Sequence, residues 1–200
     1  MKKVFQNRKF AHVWRQIRPW AVMVGLFLVL RFTGGISALS YATNSALMAT
    51  GIMNAKPVPP PSEKSFNYDF TLRDASGNIV NAKEFKNKTI FLNIWATWCG
   101  PCRYEMPSIH KLYNDVDHNK IVFIMLSVDA PDSDNKVKNY IKENNFTFPV
   151  YRPNGSLPLQ LDVNSIPTTF IISPEGKIVS KQVGAASYDS DEFKKFIEGL

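Results

Sequence analysis

Bulky and polar residues alternate over Phe66–Leu72, which predicts a strand buried on one side. Ser76-Gly77-Asn78 marks a turn, and Ile79-Val80 opens a return strand. Thr89–Trp95 and Ile121–Val128 are near-continuous runs of apolar β-formers, the pattern of central strands buried on both faces. Between them, Pro101 to about Val116 reads as a helix. A second helix is expected over Ser133–Asn144, with Val137, Tyr140 and Ile141 on one side. Thr168–Ile172, the turn Pro174–Gly176 and Lys177–Val183 form a hairpin. Asp189–Ile197 closes the chain as a helix whose apolar side is Phe193, Phe196 and Ile197, capped by Asp189 or Ser190. This order implies an α/β domain over residues 66–200, with helices on both sides of a mixed, centrally parallel sheet.

The pattern upstream is of another kind. Lys2, Lys3, Arg8, Lys9, Arg15, Arg18 and Arg31 are unaccompanied by any acid, and an uncharged, largely apolar run, Pro19–Leu30, lies among them. The chain carries a net charge of +7 over 200 residues, yet the 17 bases beyond residue 31 are matched by 17 acids. The basic character therefore belongs to the N-terminal segment, and a nucleic-acid partner is not expected. With 44% hydrophobic and 20% charged residues, disorder throughout and a polytopic membrane protein are also excluded. Residues 1–19 read as a basic cytoplasmic segment and 20–39 as a membrane anchor or uncleaved signal, with Lys and Arg kept inside. The competing readings are a signal cleaved after Ser40-Tyr41-Ala42 and a short buried helix. Residues 40–65 read as a juxtamembrane segment, weakly amphipathic over 36–53, followed by a spacer in which Pro57, Pro59, Pro60 and Pro61 favour extended geometry.

Cys99 and Cys102 are the only cysteines, in Trp98-Cys-Gly-Pro-Cys102, directly after a buried strand and at the start of a helix. Free N–H groups and the partial positive charge of a helix N-terminus stabilise a thiolate. Cys99 at the cap is then the exposed nucleophile, and Cys102, one turn in, the shielded thiol that resolves a mixed disulfide. Pro101 is tolerated in the first turn. A zinc site would need His110 and His118, whose spacing does not fit, so no metal is expected. A structural disulfide across two residues closes too short a loop to stabilise much.

Trp98-Cys-Gly-Pro-Cys102 after a strand, Pro107 beyond it, and Ser165-Ile-Pro167-Thr before another strand resemble a thioredoxin-like fold. More narrowly, Asp69–Leu72, Phe91–Cys99 and Pro167–Gly176 resemble the membrane-tethered TlpA/ResA-like thiol–disulfide oxidoreductases. The resemblance covers about residues 66–200. It implies a cis Pro167 beside the disulfide, with Ile166 presenting backbone for pairing with an extended substrate. It also implies that Trp98, Gly100 and Pro101 shape the contact surface. Thioredoxins carry a buried carboxylate on the preceding strand where this chain has Asn93. Glu105, three residues after Cys102 on the same helical side, is the substitute that ResA-like proteins also carry, for proton transfer to or from the cysteine pair. The alternative is a solvated glutamate near a favourable helix start. Trp95 reads as core, Pro107 as a kink, Arg103 as an aid to a thiolate or a solvated residue, and His110 and His118 as surface residues.

The resulting expectation is an enzyme of the bacterial cytoplasmic membrane, its domain facing the periplasm or exterior, reducing protein disulfides through a Cys99–Cys102 cycle without a further cofactor. The resemblance implies apocytochrome c as substrate and a membrane protein as electron donor. Competing expectations are a disulfide-forming or isomerising oxidoreductase, a peroxidase, a copper-delivery protein, which would want a histidine beyond His118, and a tethered binding module. Asn144–Gln160 is expected near the substrate side.

Overall fold

The computed structural model describes residues 18–25, 53–59 and 65–200. Residues 18–25 are helical and exposed. Among the described residues no helix is long and apolar enough to cross a membrane. Most of the expected anchor over 20–39, the Ser40–Ala42 site, and nearly all of the amphipathic stretch 36–53 lie outside the described residues.

Residues 65–200 build one seven-stranded sheet in the order β2-β1-β5-β4-β3-β6-β7. Its strands are β1 (Thr71–Asp74), β2 (Ile79–Asn81), β3 (Thr89–Trp95), β4 (Ile121–Ser127), β5 (Val150–Asn154), β6 (Thr168–Ile172) and β7 (Ile178–Val183). The helices are α1 (Gly100–Asp115), α2 (Asp134–Glu143) and α3 (Asp191–Glu198). β3 pairs parallel with β4 from Thr89↔Ile121 to Trp95↔Ser127, and β4 parallel with β5; every other pairing is antiparallel. The centre is thus parallel and the margins antiparallel, as the sequence pattern implies. All seven residues of β3 are buried, which explains why Thr89–Trp95 reads as a continuous apolar run.

Two features differ from the sequence expectation. The sequence pattern does not predict β5: Val150-Tyr-Arg-Pro-Asn154 has little apolar pattern, and a proline demotes a strand. It joins β4 through only two residue pairs, while β1 covers its other edge over four. The α-helices also lie on one face of the sheet, not on both. The cluster formed by Phe91, Trp95, Phe123, Met125 and Ile171 takes its helical partners from α1, α2 and α3. Both crossovers, β3–α1–β4 and β4–α2–β5, step the same way across the sheet, so a common right hand puts α1 and α2 on one side. The opposite cluster, with Ile90, Leu92, Ile94 and Phe170, is covered by Phe66, Tyr68 and Phe70, by a 3-10 turn at Ala82–Phe85, and by Leu161.

Local signals behave as the chemistry requires. Ser190 caps α3, accepting from the Phe193 N–H at 3.3 Å. The Asp74 carboxylate accepts from the N–H groups of Ser76 and Asn78, each at 2.8 Å, closing the β1–β2 turn around Gly77 at φ 93°. Residues 53–59, the end of the expected juxtamembrane stretch and the start of the spacer, are docked on the domain. Ala55 N–H donates to Ser187 O at 2.7 Å, Ser187 N–H to Met53 O at 2.8 Å, and Lys181 N–H to Val58 O at 3.1 Å. Ala55 is buried in the helix-side cluster.

Candidate active site

The end of β3 delivers the chain to the site, and α1 begins one residue past Cys99. Cys99 is the N-cap of α1, and its Sγ accepts from the Cys102 N–H at 3.2 Å. The same orphan helix N–H, already donating to this sulfur, would therefore stabilise a Cys99 thiolate. Cys99 and Cys102 are joined as a disulfide with an S–S distance of 2.07 Å. Cys99 is 5% exposed and Cys102 0%. Cys99 is the more accessible, as expected, but it too is buried in the oxidised form, against the expectation of an exposed residue. Sulfur-to-sulfur bonding turns its side chain toward Cys102 and leaves the surface to its neighbours. Trp98, at 69%, is the large apolar residue exposed beside it, and Gly100 and Pro101 complete the exposed rim.

The loop leading into the motif is pinned from β4. Asp129 accepts from the Thr97 N–H at 2.9 Å, from Thr97 Oγ1 at 2.6 Å and from Ser127 Oγ at 2.8 Å. Arg152 on β5 then donates to the backbone carbonyls of Asp129 and Ala130 and pairs with Asp134. Sequence reasoning missed this support. Its only signal is Asp129 placed just past a buried strand, and the partners lie 32 and 23 residues away.

From the far side, the Ile166–Pro167 peptide bond is cis. The Ile166 carbonyl oxygen stands 3.8 Å from Cys99 Sγ. The fold thus brings Ile166 and Pro167 to the disulfide, as the resemblance implies. Beside them opens a cavity of about 490 Å³ lined by Ile94, Val128, Pro153, Leu157, Leu159 and Ile166 among others. Pro153, Gly155, Leu157 and Leu159, from the Asn144–Gln160 segment, line this cavity together with Ile166.

Glu105 is 0% exposed, which removes the solvated-glutamate alternative. Its Oε1 accepts from Asn93 Nδ2 at 2.7 Å and its Oε2 from the Ala186 N–H at 3.2 Å. Burial pushes its pKa from 4.5 up to about 8, against the lowering effect of these two donors. That lies close to the ordinary thiol value of about 8.5. A carboxyl raised into this range is suited to acid–base work near neutral pH. Asn93 is itself fully buried and reaches across to Thr169 Oγ1 at 2.9 Å, which also meets Tyr188 OH at 2.8 Å. Thr169, Tyr188 and the Ala186 N–H are further members that the sequence does not reveal.

The remaining candidates fall elsewhere. Trp95 is fully buried and Pro107 lies inside α1. Arg103 sits over the Tyr140 ring at 5.4 Å. His110 Nε2 meets Thr147 Oγ1 at 3.0 Å, and His118 lies against the Tyr113 ring, 4.2 Å between centroids.

Residues 66–181 match the AhpC/TSA family. The chain is 34% identical over 132 residues to the thiol–disulfide oxidoreductase ResA of Bacillus cereus, covering 66% of this chain and 72% of the relative. This chain belongs to the AhpC/TSA family, among its ResA-like thiol–disulfide oxidoreductases. ResA of Bacillus subtilis is 32% identical over 164 residues, 82% of this chain and 84% of that one. Among solved structures, the thioredoxin domain of a thiol–disulfide oxidoreductase from Bacteroides vulgatus superposes with a TM-score of 0.56. At 24% identity it covers 69% of this chain and 98% of its own, and shows the same fold.

Proposed function

We propose that this ResA-like protein reduces protein disulfides on the outer side of the bacterial cytoplasmic membrane. Residues 20–39 anchor it, and a membrane protein supplies its electrons. The observation that carries the chemistry is the buried Glu105 on the helix that Cys99 caps. The Cys99 thiolate attacks a substrate disulfide, forming a mixed disulfide and releasing one substrate thiolate. Cys102 gives its proton to the ionised form of Glu105, whose share grows as pH nears 8, and attacks Cys99 Sγ. The Cys99–Cys102 disulfide forms and the second substrate thiolate leaves; the proton on Glu105 then passes to solvent or to a departing thiolate. Two electrons have moved from the dithiol to the substrate, and the membrane donor restores them.

The seven uncompensated bases before and around the apolar run support the inward N-terminus and the outward domain. An oxidising compartment maintains disulfides, so a tethered dithiol there serves selected targets as a reductant. The resemblance to ResA supports apocytochrome c as the target, its haem-attachment cysteines needing to be reduced. The test is the reduction potential of the full-length chain, equilibrated with dithiothreitol or glutathione buffers. A value near that of thioredoxin, about −270 mV, supports the reductant reading; one near about −120 mV makes the protein an oxidant and overturns it.

A further inference from the structure

We propose that Thr169 is a positioning residue for the proton step: its hydroxyl holds the Asn93 amide with its N–H groups, not its oxygen, turned toward Glu105. The inference rests on the reading of Glu105 as the proton acceptor of Cys102.

The placement follows from strand register. Asn93 on β3 and Thr169 on β6 are directly opposed partners of an antiparallel pair, so their side chains leave the sheet together on the helix side. Asn93 Nδ2 has two hydrogens, and two oxygens meet it: Glu105 Oε1 at 2.7 Å and Thr169 Oγ1 at 2.9 Å. Asn93 Oδ1 is buried and has no hydrogen-bond partner among the described residues. The amide is therefore anchored through its nitrogen end alone.

Thr169 Oγ1 receives a second contact from Tyr188 OH at 2.8 Å. Tyr188 is held in turn by its own N–H on Ser108 Oγ at 3.2 Å, and Ser108 Oγ donates to the Glu105 carbonyl at 2.7 Å. The chain of contacts closes on α1 beside the carboxyl it serves. Thr169 and Tyr188 are 2% and 1% exposed, so water does not replace either partner. Cys99 and Cys102 stand at the start of α1, which also carries Arg103, Tyr104, His110, Lys111, Tyr113 and Asp115, and Tyr188 comes from the segment before α3. β3 and β6 present Asn93 and Thr169, which carry no charge. Arg103 is turned to Tyr140, and Asp189 to Lys111 and Ser187.

An N–H aimed at Glu105 favours the carboxylate, whereas an amide oxygen aimed there favours the acid, which alone has a hydrogen to donate. Without the Thr169 hydroxyl, the second N–H of Asn93 would be orphaned in a dry site. The amide would then have one anchor instead of two and would be free to turn its remaining N–H away from Glu105. Loss of the hydroxyl should thus strengthen the hold of Glu105 on its proton and make Cys102 harder to deprotonate.

The experiment is the pH profile of the resolving step in the full-length chain. A mixed disulfide of Cys99 with 2-nitro-5-thiobenzoate is formed, and the release of the chromophore by Cys102 is followed by stopped flow. Thr169→Val should move the midpoint upward by about one pH unit, a tenfold change in proton affinity, while Thr169→Ser restores the original midpoint. Thr169→Ala, free of the added methyl, makes the same prediction if Thr169→Val does not fold. In a Glu105→Gln background, the loss of the hydroxyl should shift nothing further. An unmoved midpoint in Thr169→Val or Thr169→Ala overturns the proposal while leaving Glu105 in its role if Glu105→Gln alone alters the profile. A Glu105→Gln profile identical to the original removes the underlying reading and the proposal with it. A shift of equal size with and without Glu105 assigns the hydroxyl another route and also overturns it.

Discussion

The two faces of one sheet are put to different uses. Alternate residues of β3 go to opposite sides: Ile90, Leu92 and Ile94 to one cluster, Phe91 and Trp95, with Asn93 between them, to the other. The first face is packed almost wholly with apolar side chains under the N-terminal strand region. The helix face is just as dry but holds Asn93, Glu105, Thr169 and Tyr188, with the cysteine pair at its end. The difference teaches that buried polar chemistry is tolerated where each group is satisfied by another fixed group. The orphaned Asn93 Oδ1 shows that even on the helix face the accounting is incomplete.

Adjacent residues of β3 can break this comparison. Leu92→Ala, on the apolar face and fully buried, should destabilise the oxidised protein by about 2–5 kcal/mol, because a cavity is left in a close-packed layer. It should leave the pH profile of cysteine reactivity in place. Chemical denaturation combined with alkylation kinetics checks both, and a shifted profile would mean that the faces are not separate in function.

Glu105→Gln should act on the other face and through pH. The folded protein holds the Glu105 proton up to about pH 8, whereas an unfolded glutamate loses it near 4.5. The folded state binds the proton more tightly, so stability falls as pH rises between those values and levels off above them. The expected loss is on the order of a few kcal/mol. In Glu105→Gln that slope should vanish. Denaturation midpoints of the oxidised protein at pH 5 and pH 8.5 test it, and parallel curves for the two proteins would rule the carboxyl out as the source.

The smallest effect is expected outside both faces. Trp98 is 69% exposed, so Trp98→Ala should change stability by less than about 0.5 kcal/mol. It should nevertheless slow reduction of a protein disulfide more than reduction of a small-molecule disulfide, since its surface lies beside Cys99. Equal slowing of both substrates would take Trp98 out of substrate contact.

How far the molecule was legible varies with the range of the interaction concerned. β3, β6 and α1 were readable because a buried strand is a continuous apolar run and a helix start carries its own cap chemistry. β5 was not, because Arg152 and Pro153 break the pattern and its place depends on β1 closing one edge and β4 the other. The helices were expected on both faces, whereas the direction of successive crossovers puts them on one. Cys99, Cys102 and Glu105 were visible as a spacing along one helix. Thr169 and Tyr188 were not, since a threonine in an apolar strand and a tyrosine ahead of a helix have no local mark of function. Asp129, which holds the loop before Trp98, is likewise defined only by what folding brings to it.

The sequence alone determined the redox pair, the strand that leads to it, the helix that activates it and the contrast between a basic N-terminal segment and a neutral domain. These are properties of neighbours a few residues apart, where periodicity, charge and capping act directly. Tertiary structure decided that Glu105 is dry, that Ile166 stands against Cys99, and that Asn93 is held between a carboxyl and a hydroxyl 76 residues further on. The proton affinity of a carboxyl depends on which groups replace its water, and only strand register and helix packing supply that list.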